Sequence, residues 1–155
     1  MGKFPDLWSP NLIIIIGHAL RAPVFEVNWF VFSDTISALA LGIPPLLHYD
    51  TTYYPGRLSE DSYLEWVYGC PARITVLLAQ INAWSASRWM GQSNLDASQW
   101  REVEKLLQSW SPSVESEGES HDLVGRFAIR ESWRHAVFIY LYVVSYQAEP
   151  IFYTC

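Results

Sequence analysis

Two stretches of the chain, residues 64–84 and 125–145, carry apolar side chains spaced three and four residues apart. Residues at this spacing occupy one face of an α-helix, which must be buried against another element. Neither stretch contains a recognisable set of catalytic groups. The sequence therefore predicts an all-α fold: an irregular domain of several helices. The stripe of the first stretch consists of Ile74, Leu77, Leu78 and Ile81.

Breaking and capping residues divide the rest of the chain into helices. Gly42, Gly69 and Pro112 lie where helical patterns end, and Pro71 lies where one restarts. Ser59 and the pair Asp96 and Gln99 have the chemistry of N-terminal caps. Residues 1–28 read as an irregular lead whose short apolar run is either a strand or a buried helical turn. The predicted helices lie near residues 24–41, 60–69, 71–85, 97–110 and 122–146.

The same patterns predict which face of each helix is buried. The first helix has Trp29, Phe32, Ile36 and Leu39 on its apolar face, and the second has Tyr63, Trp66 and Val67. The fourth has Trp100, Val103, Leu107 and Trp110. The last has Ile129, Trp133, Ala136, Val137, Tyr140, Leu141 and Val144, with Arg126, Arg130 and Arg134 expected on the opposite, solvated side.

Charge and cysteine content exclude several functional classes. The formal net charge is −6, and only two of the ten basic residues are lysines, Lys3 and Lys105. Duplex binding requires clustered cations, so we expect no direct DNA contact by this chain. The two cysteines, Cys70 and Cys155, are too few for a disulfide framework or a cysteine metal site. No apolar run reaches the roughly 20 residues of a membrane span, and we expect no membrane contact.

Four groups of residues resemble reactive or metal-binding sites. His48-Tyr49-Asp50 and Glu119-His121-Asp122 combine imidazole and carboxylate but lack an obvious third ligand. Glu131 and His135 lie four residues apart and could bind a metal together or form an acid–base pair, although Arg134 competes for Glu131. Cys70 precedes a helix, where a thiolate is stabilised. A structural role explains each group, so the sequence predicts no catalytic residues, no metal site, no cofactor and no enzyme; it leaves any cofactor-binding residues unassigned.

Four blocks, in order and spacing, resemble the fungal-specific transcription factor domain, the regulatory region C-terminal to the binuclear zinc cluster of many fungal transcription factors. The resemblance covers residues 30–142 and implies an all-α fold, nuclear residence and regulation of transcription. It assigns no binding residue. The blocks are FVFSDTISALALGIPPLLHYD, YLEWVYGCPARITVLLAQINAW, SQWREVEKLLQSWSP and AIRESWRHAVFIYLY.

The sequence departs from the family pattern in two ways that concern how much of the protein is present. The zinc cluster needs six closely spaced cysteines, which these 155 residues do not contain. Family members also continue with further helices after the last block. We therefore expect an incomplete fragment of a larger helical domain, with an uncovered apolar patch near Phe138 and Tyr142. Phe138, Ile139, Val143 and Tyr146 fall outside the main stripe of that helix.

The resulting functional hypothesis is a regulatory domain that acts through protein or small-molecule contacts. The alternative is a stand-alone helical module that binds a ligand or a protein and has no role in transcription. We divide the chain into an N-terminal flank at 1–29, the partial transcription factor domain at 30–146, and a tail at 147–155. Protein partners are expected, either further helices or a second copy, and a small-molecule effector is compatible with the family.

Overall fold

The computed structural model describes residues 7–9, 11, 13–52, 63–91, 97–112 and 120–146. Within them, six helices accompany two very short parallel strands that pair Ile14 with Tyr49 and Ile15 with Asp50. The elements in chain order are β1 (Ile14–Ile15), α1 (Ile16–Ala19), α2 (Phe25–Leu41), β2 (Tyr49–Asp50), α3 (Tyr63–Tyr68), α4 (Ala72–Trp89), α5 (Ala97–Ser109) and α6 (Ser120–Tyr146).

Helix α4 lies at the centre, because α2 and α6 both pack on it. Its predicted stripe is buried: Ile74, Leu78 and Ile81 are fully enclosed and Leu77 is 5 % exposed. Burying each such side chain contributes about 1.5–3 kcal/mol before entropy is counted. Asn82, on the same helix, donates from Nδ2 to the carbonyl of Thr35 at 3.0 Å and so ties α4 to α2.

Helices α5 and α3 complete the packing around α6 and α2. The predicted stripe of α5 is confirmed, since Val103 and Leu107 are fully buried and Trp100 and Trp110 pack against the core. On α3, the ring of Tyr68 stacks on Phe32 of α2 with centroids 4.9 Å apart. The core is therefore continuous from the short N-terminal elements through α4 to α6.

The predicted all-α fold is confirmed, and the five predicted helices correspond to α2–α6. Gly42 and Gly69 both adopt positive φ at the helix ends predicted for them. The short apolar run near the N-terminus forms both a strand and a helical turn, since β1 leads directly into α1. The proposed caps at Ser59 and Asp96 lie outside the described residues.

The predicted face of α3 is wrong at Trp66 and Val67, and that of the first half of α6 is wrong at Ile129, although Trp133 packs against the core as predicted. Trp66 is 77 % exposed and Val67 41 % exposed, whereas Glu65, directly before Trp66, is buried. Arg130 of α6 turns inward to meet that carboxylate, with Nη2 and Oε1 2.9 Å apart. A buried carboxylate needs a partner, and arginine can bury its aliphatic stem while its guanidinium reaches a charge.

Arg134 is also drawn inward, and both arginine side chains keep only about a fifth of their surface exposed. The partly buried Arg130 and Arg134 thus lie on the same side of α6 as the buried Val137, Leu141 and Val144, spaced four, three, four and three residues apart. Trp133 and Tyr140 also pack against the core. Ile129, expected in the core, is 49 % exposed. The prediction for Trp29 of α2 is wrong in the same way, because its side chain is 47 % exposed.

The C-terminal half of α6 exposes apolar residues, as expected from the sequence. Ile139, Tyr142 and Val143 are 66 %, 43 % and 47 % exposed, and Tyr146 is 81 % exposed. Phe138 differs from the expectation because it is half-buried against the core. The uncovered surface is therefore displaced toward the C-terminal end of the helix.

Gly69 provides a direct test of the α3–α6 contact. Its φ is +63°, and a Cβ added there would overlap Cγ2 of Ile129. We expect Gly69→Ala to lower the free energy of unfolding by more than the roughly 1–2 kcal/mol of the left-handed backbone alone. Chemical denaturation followed by circular dichroism measures the change.

Gly42→Ala is the matched control, because Gly42 has a φ of +65° and no neighbour within 4 Å of an added Cβ. The second substitution Ile129→Ala, made in the Gly69→Ala background, removes Cγ2 and should recover the excess loss. Equal destabilisation by Gly69→Ala and Gly42→Ala would contradict the close contact.

Candidate functional site

A buried carboxylate on α2 fixes the segment that follows the helix. Asp34 is 6 % exposed. Its Oδ1 accepts the backbone N–H of Leu46 at 2.8 Å, and its Oδ2 accepts the N–H of Leu47 at 3.2 Å and the hydroxyl of Tyr49 at 2.7 Å. Hydrogen bonds to an ionised acceptor are about twice as strong as neutral ones. One side chain therefore sets the path of residues 45–49.

The fixed segment stands off from α4 and leaves a cavity of about 190 Å³ between them. One wall is the segment itself, and the other is the stretch of α4 that contains Ala79, Ala83 and Ala86, of which Ala79 and Ala86 are buried. Most of the lining is apolar. The lining residues are Pro45, Leu47, His48, Tyr49, Ala79, Ala83, Ala86, Ser87 and Met90.

The cavity exists because α4 presents small side chains on this side. Ala79, Ala83 and Ala86 are spaced four and three residues apart, which places them on one helix face. Methyl groups there leave room that leucine side chains would fill. The same helix therefore contributes large side chains to the core and small ones to the cavity.

Electrostatics keep the phenol of the cavity neutral. Burial raises the pKa of Tyr49 far above its ordinary value of 10, and the hydrogen bond to Asp34 and the charge of that carboxylate raise it further. Ser87 already donates its hydroxyl proton to the carbonyl of Ala83 at 2.9 Å. The imidazole of His48 belongs to an exposed residue at the edge.

Cys70 does not have the environment of a reactive thiol. Its side chain is fully buried, and burial raises the pKa of the thiol to about 12. A hydrogen bond with Thr75 opposes this shift, and the charge of Glu65 adds to it. A thiolate at a helix N-terminus is stabilised only where its charge can be solvated or paired. Cys70 is therefore a packed core residue.

The other predicted groups do not converge on a site. Arg134 holds Glu131 at 2.6 and 2.9 Å, and His135 lies 3.7 Å from that carboxylate with 65 % of its side chain exposed. In the 48–50 segment, Tyr49 turns to Asp34 while Asp50 accepts hydrogen bonds from Thr52.

Glu119 and the side chain of His121 lie outside the described residues, so the structural role assigned to Glu119-His121-Asp122 stays a prediction. Among the residues that the structure does describe, no three histidine, cysteine, aspartate or glutamate side chains come together as a metal site.

Sequence reasoning missed both parts of the cavity. Asp34 is an isolated acid within an apolar helix, and that isolation was the available signal. The spacing of Ala79, Ala83 and Ala86 was visible too, but alanine is common in helices. Asp34 and the three alanines become part of one site only because residues 45–49 bind to the former and lie over the latter.

The comparison with protein families matches the fungal-specific transcription factor domain to residues 13–151. The chain belongs to this family. Its members are transcription-regulatory proteins rather than enzymes, and membership implies a role in transcription and nuclear localisation in general. No curated protein and no solved structure matches the chain significantly. Within the described part of this family member, no helix is long and apolar enough to cross a membrane.

The burial of Cys70 predicts slow alkylation. With a pKa near 12 instead of 9.0, the thiolate fraction at pH 8 falls by about a thousandfold. We expect the native Cys155→Ser variant to react with iodoacetamide at least that much more slowly than the same variant unfolded in urea. Mass spectrometry measures the label. Comparable rates in the two states would contradict this environment.

Replacement of the Asp34 carboxylate should release the 45–49 segment. In Asp34→Asn one of the two accepting oxygens is replaced by an NH₂ group, which cannot accept a hydrogen bond. We expect the free energy of unfolding to fall by about 2–4 kcal/mol. The amides of Leu46 and Leu47 should exchange hydrogen much faster, as measured by NMR.

Asp50→Asn is the matched control, because the Asp50 carboxylate accepts hydrogen bonds that are exposed, both from Thr52. Its effect should stay within about 0.5 kcal/mol. Unchanged exchange at Leu46 and Leu47 in Asp34→Asn would show that another interaction holds the segment.

Proposed function

We propose that this chain is a regulatory domain of a fungal zinc-cluster-type transcription factor that modulates a linked DNA-binding region through protein or small-molecule contacts. The observation that carries the proposal is the family match over residues 13–151. The division into a flank at 1–29, a domain at 30–146 and a tail at 147–155 stays a prediction.

The charge distribution supports a domain that does not contact DNA. The net charge is −6, which repels phosphate at long range. Several arginine side chains also make ion pairs or hydrogen bonds within the protein. Arg130 pairs with Glu65, Arg134 pairs with Glu131, and Arg88 donates to the carbonyl of Val144. These guanidinium groups cannot serve phosphates without breaking internal contacts.

The side-chain geometry supports a non-enzymatic role. The two groups with potential reactivity are in opposite environments: Cys70 is enclosed in the core, and His135 is exposed beside a carboxylate held by Arg134. A nucleophile and a base must come within hydrogen-bond reach to act together. Binding of a partner or an effector needs no such pair.

A reporter experiment tests the proposal. Residues 1–155 are fused to a heterologous DNA-binding domain in yeast, and transcription from a promoter with the matching sites is measured. We expect a change of at least about threefold relative to the DNA-binding domain alone. The destabilised Gly69→Ala fusion should lose the effect, whereas Gly42→Ala should keep most of it.

DNA binding by the isolated chain is measured separately by fluorescence anisotropy with a labelled duplex at low salt. We expect no saturable binding. Low salt makes this a stringent test, because it favours even non-specific contacts. Saturable binding would overturn the non-contacting role. A stable fusion without any effect on the reporter would overturn the regulatory role.

A further inference from the structure

We propose that the cavity between α4 and residues 45–49 is an effector site for a small, uncharged, largely apolar molecule that carries a hydrogen-bond donor. This inference rests on the proposed function, because it names the kind of ligand through which the domain would be regulated. Occupancy of the cavity can nevertheless be measured without any transcriptional readout.

Volume limits the size of the ligand. About 190 Å³ accommodates a single ring or a short chain and excludes larger ligands unless the walls move. The lining is mostly methyl, methylene and thioether groups, from Leu47, the alanines of α4 and Met90. An apolar body would displace water from these surfaces at little cost in polar contacts.

Charge selects against ions. Among the described residues, no arginine, lysine or carboxylate side chain lines the cavity, although Asp34 lies directly behind Tyr49. An anionic ligand would meet that negative charge without a permanent counter-charge. The carboxylate already accepts three hydrogen bonds, so it offers little to a cation. Desolvating an unpaired ion is costly, and a neutral ligand avoids that cost.

Hydrogen bonding selects a donor. Tyr49 gives its hydroxyl proton to Asp34, and Ser87 gives its own to the carbonyl of Ala83. Both oxygens retain lone pairs and can accept a further hydrogen bond. A hydroxyl or N–H group on the ligand therefore matches the polar groups of the lining.

The wall of the cavity is held by the carboxylate of Asp34 and by the pairing of Tyr49 with Ile14 of β1. Because Asp34 binds Leu46, Leu47 and Tyr49, a ligand that presses on the segment acts on α2 through this carboxylate. Thr35, the next residue, accepts the hydrogen bond from Asn82 of α4. The site is thus connected to the packing of the two central helices.

Benzyl alcohol is the probe, and benzoate is its charged counterpart of similar size. Protein with ¹³C-labelled alanine methyl groups is titrated and followed by NMR, since an aromatic ring shifts nearby methyl resonances. We expect the methyls of Ala79, Ala83 and Ala86 to shift together with a Kd of about a millimolar, as befits so few ligand atoms. Benzoate should bind at least tenfold more weakly.

Ala83→Leu fills the cavity and should weaken benzyl alcohol binding at least tenfold. Ala128→Leu makes the same substitution at an exposed position of α6 and should leave binding unchanged. If Ala83→Leu does not fold, Ser87→Leu serves as a second filling variant at a half-buried position.

Absence of saturable shifts at the three alanines, or equal binding by Ala83→Leu and wild type, would overturn the site. Preference for benzoate would overturn the assigned ligand class. A reporter effect that persists without probe binding would leave the regulatory proposal standing, so the two failures are distinguishable.

Discussion

Helix α4 is enclosed on most of its circumference, and its large apolar side chains supply the surface against which α2 and α6 pack. A helix buried in this way cannot fold alone, because its stability comes from neighbours rather than from propensity. The neighbours depend on α4 in return, since α5 packs on α6 and α3 packs on α2. Loss of this central helix would leave no common surface for the others.

Buried polar contacts then select one arrangement among those that apolar packing would allow. Asn82 donates to the carbonyl of Thr35, Asp34 fixes the segment after α2, and Glu65 pairs with Arg130. Each contact would be broken by a shift or rotation of its helix, and a buried polar group without a partner costs about 1–3 kcal/mol. Their contribution is therefore specificity of packing more than net stability.

Core and cavity meet on the same helix. The large side chains of α4 pack against α2 and α6, whereas Ala79, Ala83 and Ala86 leave space beneath residues 45–49. In the function proposed above, occupancy of the cavity by a ligand alters the packing of the domain. The connection from the 45–49 segment through Asp34 to α2 offers such a path within the fungal-specific transcription factor domain.

The sequence by itself determined the helices, because breakers and caps act locally: Gly42 and Gly69 end α2 and α3 wherever the rest of the chain lies. It also determined the stripes of α4 and α5, where large apolar side chains leave one face to bury.

Only the tertiary structure decided the buried side of α6 and the presence of the cavity. Arg130 faces inward because Glu65, distant in sequence, is buried opposite it. The cavity forms because a segment after α2 meets alanines of α4. Both depend on pairings between remote residues, which periodicity along one helix does not encode.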